Sequence, residues 1–127
     1  MFKFFIRIAT VALLAFTANT AIAGTKTGSF HGATDHVTTG DFTISKQADG
    51  SHIITLEDNF SLDGAPDPSV GFGKDGKYSK ATHLGNLKHL KGKQSFVIPA
   101  SVDLSHFNEV YIWCAKFTVP LGVASIH

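Results

Sequence analysis

Val110-Tyr-Ile-Trp-Cys-Ala-Lys-Phe-Thr-Val119 is the most apolar run downstream of residue 23. As an extended strand it carries Tyr111, Trp113, Ala115, Phe117 and Val119 on one wholly apolar face. The other face, Val110, Ile112 and Cys114, is apolar until Lys116. A strand apolar on both sides is either central in a sheet covered on both faces or ends under a loop. Leu121 to Ile126 supplies a further strand after it. Upstream, Asp41 to Lys46 alternates, with Phe42 and Ile44 opposite Asp41, Thr43 and Ser45. Ala48-Asp-Gly-Ser51 then gives a turn, and Ser51 to Glu57 resumes the extended pattern, so the two segments predict a β-hairpin.

Leu62 to Pro68 is a loop by its chemistry, since Gly64 tolerates positive φ and Pro66 and Pro68 resist a place in a central strand. Val70 and Phe72 predict a short strand, followed by a Gly- and Lys-rich loop from Gly73 to Lys80. Ser95 to Ile98 is a strand closed by Pro99, and Val102 to Phe107 is a helical turn or a bend. Seven or eight short strands with frequent turn signals predict an all-β fold, an antiparallel sandwich or barrel.

The first 23 residues belong to a different class. Lys3 and Arg7 precede the nine-residue apolar run Ile8 to Phe16, and Ala21-Ile-Ala23 offers the small residues a signal peptidase reads. The run is well short of the ~20 residues that span a bilayer. Residues 1–23 are therefore expected to be a signal peptide cleaved before Gly24. Residues 24–127 are then one domain, exported to a bacterial periplasm or secreted, with no membrane span. Without Lys3 and Arg7, nine Lys face ten Asp and Glu, which argues against a nucleic-acid binder.

Cys114 is the sole cysteine, so an internal disulfide, a CxxC pair and a four-cysteine zinc site are excluded. Ser-His-Asp order, G-x-S-x-G and P-loop motifs are absent, which leaves hydrolase and nucleotide chemistry without support.

Leu56-Glu-Asp-Asn-Phe-Ser-Leu-Asp-Gly-Ala-Pro-Asp67 and Val110 to Ala124, joined by Leu84-Gly-Asn-Leu-Lys88 and Phe96-Val-Ile-Pro99, resemble the DM-thirteen (electron-transfer DM) domain family. Gly28-Ser-Phe30 and His36-Val-Thr-Thr-Gly40 also fit, so the similarity runs from about Gly28 to Ile126. The resemblance implies an extracytoplasmic antiparallel β-sandwich of about seven or eight strands, related to haem-binding DOMON domains. It also implies an electron-transfer role centred on Cys114, and a shape-determining loop at Asp63, Gly64, Pro66 and Asp67.

Considered by themselves, the residues leave several roles open for Cys114. A lone Cys on an apolar strand is commonly a small buried hydrophobe. It can also be a reactive thiol, a thiolate ligand to haem iron beside an open apolar cavity, or part of a metal site with histidines. Seven histidines lie after residue 23, and of these His31, His36 and His106 are expected nearest the sulfur. Glu57, Asp58, Asp63 and Asp67 would suit Ca²⁺ or serve simply as turn-formers. Six lysines between Lys74 and Lys93 form either a solvated surface or a patch for an acidic partner. The expected function is an accessory redox module, with its redox or cell-surface partner and cofactor unspecified and haem as one candidate. The alternative is a non-catalytic binding module whose cysteine is only packed.

Overall fold

The alternation of Phe42 and Ile44 with polar neighbours folds as the sequence predicts. In the computed structural model, which describes residues 25–127, Asp41–Lys46 (β4) pairs antiparallel with His52–Leu56 (β5). Phe42 faces Leu56 and Ile44 faces Ile54, and all four side chains are fully buried. The segment 1–23 assigned to export lies outside the described residues.

The other strands are Lys26–Ser29 (β1), His31–Gly32 (β2), Thr38–Thr39 (β3), Ser61–Leu62 (β6), Pro68–Lys74 (β7), Lys77–Ser79 (β8), Gly85–Asn86 (β9), Gln94–Ile98 (β10), Glu109–Cys114 (β11) and Val119–Ser125 (β12). Among the described residues eight of the twelve strands have three or more residues, and four are two-residue pieces. One sheet has the order β1-β4-β5-β10; the other runs β2-β12-β11-β7-β8, with β9 also on β7; β3 and β6 form a small ribbon. All pairings are antiparallel. The two large sheets share one core, to which Phe42, Ile54 and Ile98 come from the first and Val70, Phe72 and Ile112 from the second. Each such side chain contributes about 1.5–3 kcal/mol by leaving water. The fold is thus the antiparallel β-sandwich. No helix among the described residues is long and apolar enough to cross a membrane.

Two segments differ from their sequence expectation. Val110 to Val119 is a hairpin rather than one strand: β11 stops at Cys114, residues 115–118 turn, and β12 starts at Val119. Thr118 takes φ +53 to close that turn, a conformation unusual for a β-branched residue. Val110, Ile112 and Cys114 therefore form the inward row, whereas Ala115 and Phe117 are exposed on the turn. A register shift between Ile112 and Trp113 then brings both Leu121 and Ala124 of β12 into the core, although they are three residues apart. Gly73 to Lys80 is likewise a hairpin, with β7 and β8 joined through Asp75-Gly76, both at positive φ. Pro68 is compatible with the central strand β7 because it occupies its first position.

Candidate functional site

Cys114 ends β11, between Pro68 of β7 and Val119 of β12. Only 1% of its surface is exposed, and its Sγ donates to the carbonyl oxygen of Pro66 at 3.0 Å. The next residue adds a second tie, because Ala115 N–H donates to the carbonyl of Asp67 at 3.2 Å. The loop 63–67 thus lies over the open end of the cysteine strand. These partners are 48 residues apart in the chain, and the fold brings them together where the sandwich ends.

The loop is held from its other side as well. Leu62, fully buried, donates its N–H to Leu90, and Asp63 N–H donates to the Val37 carbonyl at 3.1 Å. The Asp63 carboxylate accepts from Val37 N–H at 3.0 Å and from His36 Nδ1 at 2.9 Å. The Val37 N–H first and the His36 ring second hold the Asp63 carboxyl below its usual range. Gly64 adopts φ +126, which a side chain would strain, and Asp67 adopts φ +56 as the chain turns into β7. Ala65 packs against the core.

Of the three histidines expected near the sulfur, the fold joins one to this loop. His36 anchors Asp63, three residues before the carbonyl that receives the thiol hydrogen. His106 lies beyond the opposite end of β11, a strand that itself spans about 17 Å by its rise, and its Nε2 is 3.4 Å from Asp103 Oδ2. His31 pairs with Val123, which pairs with Tyr111, so it sits two strands and three residues from Cys114, about 14 Å. It lines a polar cleft with Asp41, Glu57 and His127.

The surroundings of the sulfur do not fit a haem. A thiolate bound to iron needs an open apolar cavity at the sulfur, and here that direction is filled by the Pro66 carbonyl. No group of three His, Cys, Asp or Glu side chains suited to a metal occurs among the described residues. The acidic cluster is dispersed too: Asp63 is taken by His36 and Val37, while Glu57 reaches toward Lys93 at 3.9 Å.

Sequence reasoning missed a second feature, on the outer face of the same strands. Trp113, Tyr111 and Tyr78 form an aromatic cluster in which Tyr78 and Trp113 stack at 4.2 Å and 14°. Tyr111 is 3% exposed and bonds Glu109 at 3.2 Å; burial first, and the Glu109 charge and bond next, leave its hydroxyl pushed up to about 12. The available signal was the glycine alternation Gly71-Phe72-Gly73, which leaves the outer side of β7 open to rings from its neighbours.

Comparison with known proteins bears on the loop and the cysteine strand together. No curated protein and no solved structure matches the chain. The family model for the electron transfer DM13 domain matches residues 29–126, which includes Asp63 to Asp67, Cys114 and nearly every described strand. The match covers more than three quarters of the chain, which therefore belongs to the electron transfer DM13 family, with a general role in redox chemistry.

Proposed function

We propose that the protein is an exported electron-transfer module in which the Cys114 thiol is the redox group and the loop 63–67 is its cover. The observation that carries this reading is the bond from Cys114 Sγ to Pro66 O, which brings the two most distinctive family-like segments together at the sulfur. With one cysteine in the chain, oxidation cannot end in an internal disulfide. The accessible two-electron state is a sulfenic acid, and a cover that excludes further oxidant would preserve it. The oxidant in this reading is a peroxide and the reductant a partner thiol. The Cys114 sulfur attacks one peroxide oxygen, an S–O bond forms as the O–O bond breaks, sulfur gives up two electrons, and water leaves. One partner thiol then forms a mixed disulfide with loss of water, and a second displaces Cys114 and carries away the partner disulfide. Export is supported by the charged start, apolar run and Ala21-Ile-Ala23 of the leading segment.

The burial of the sulfur favours a second reading, a binding module for a cell-surface ligand or protein in which Cys114 is only a core residue. Cys114→Ser separates the two, because a serine hydroxyl can also donate to Pro66. Wild-type protein supplied with hydrogen peroxide and dithiothreitol should consume both beyond the uncatalysed rate, and the variant should not, while the two melt within a few degrees of each other. Equal consumption by wild type and variant would exclude the redox reading.

A further inference from the structure

We propose that the Tyr78–Trp113 stack on the outer face of the six-stranded sheet is the floor of a binding site for a small planar aromatic anion. Adjacent residues on a strand point to opposite faces, so Trp113 and Cys114 serve opposite sides of β11 and this site is independent of the thiol.

The local sequence builds the floor. Val70 and Phe72 of β7 point inward and are fully buried, which leaves Ser69, Gly71 and Gly73 on the outer side. Their register partners supply the rings: Trp113 opposite Ser69, Tyr111 opposite Gly71, and Tyr78 opposite Gly73. A Cβ at Gly71 would lie 2.6 Å from Tyr78 Cε2, and one at Gly73 would meet the Lys77 carbonyl and the Tyr111 ring. The glycines thus let Tyr78 lean across β7 onto Trp113. Tyr111, buried and edge-on to Tyr78 at 5.7 Å, props the pair from one side.

Tyr78 and Trp113 remain partly exposed and line a pocket of about 280 Å³ with Lys80, His83, Ala115 and Thr118. That volume is at the small end of ligand pockets and suits one or two fused rings. A flat ring can extend the existing stack, whereas a saturated ring cannot match its geometry. Lys80 and His83 are the basic side chains at the rim, and among the described residues no carboxylate lines the pocket, so charge complementarity selects an anion.

Trp113 is the only tryptophan, so a single indole N–H signal in a proton–nitrogen correlation spectrum reports on the floor. Titration with naphthalene-2-sulfonate should shift that signal saturably, with a Kd on the order of 0.1–1 mM. Cyclohexanesulfonate and 2-naphthylmethylammonium should bind at least about ten-fold more weakly. Lys80→Glu, at an exposed position, should keep the folded spectrum and weaken naphthalene-2-sulfonate about ten-fold. Ala115→Glu, which adds a carboxylate from the turn, should do the same. An indole signal unmoved at about 10 mM probe would overturn the proposal. So would equal binding of the cationic probe, or an affinity unchanged in both variants.

Discussion

Replacing Gly64 by alanine should loosen the cover over Cys114 without touching the cysteine strand. Gly64 sits at φ +126, and among the described residues outside its immediate chain neighbours the nearest atom to an added Cβ is Leu90 Cδ1 at 4.0 Å, so the substitution acts through backbone strain rather than collision. Such strain costs about 1–2 kcal/mol. Opening the wild-type loop breaks the Cys114–Pro66 and Ala115–Asp67 bonds and lifts Ala65 off the core. At about 1 kcal/mol for each contact, opening costs about 2–3 kcal/mol. Ellman's reagent should therefore react with native Cys114 about 30- to 150-fold more slowly than with the unfolded chain, and Gly64→Ala should raise the native rate about 5- to 30-fold. Stopped-flow absorbance at several urea concentrations below the unfolding transition is the assay. Local opening exposes little surface, so the rate should be nearly independent of urea, whereas global unfolding would give a slope of about 1–3 kcal/mol per molar. Protection of several thousand-fold, as expected for an opening of about 5 kcal/mol or more, together with that steep slope would refute the loop as a separate cover. A Gly64→Ala rate equal to wild type would refute the role given to this residue.

Two other outcomes follow from the geometry and a third from the leading segment. Both tyrosines should ionise above the ordinary value of 10, with Tyr111 near 12, in absorbance at 295 nm; because the folded value is raised, the domain should lose stability as pH climbs from about 10 to about 12. The lowered Asp63 value has the opposite sign: its contribution is present above about 3.8 and is lost as pH falls through the folded value, and Asp63→Asn should flatten that acid limb of an unfolding titration. Protein recovered from the periplasm or medium of an expressing bacterium should begin at Gly24 by mass spectrometry, and an intact leading segment would contradict export.

The hairpin at residues 41–56 was legible because period-two alternation and Asp49-Gly50 specify it locally. The turn after Cys114 was not, because Ala115-Lys-Phe-Thr118 contains no Gly, Pro or Asn and places Thr118 at positive φ. With both faces of the run apolar, alternation also could not tell that Val110, Ile112 and Cys114 point inward; β7 on one side and β12 on the other determine that. The loop and the cysteine were each legible as segments of a family-like sequence. Their contact was not, since a partner 48 residues away leaves no local pattern. The aromatic floor stayed hidden for the same reason, as Tyr78 meets Trp113 only once β8, β7 and β11 are side by side.

Trapping of the oxidised sulfur tests the central claim most directly. Native protein treated with hydrogen peroxide in the presence of dimedone, then digested and mapped by mass spectrometry, should carry the dimedone adduct on Cys114. Dithiothreitol added after the peroxide and before the dimedone should abolish the adduct. Cys114 left as an unmodified thiol in the folded protein, under conditions that oxidise it in the unfolded chain, would contradict the claim and leave the cysteine as a packing residue.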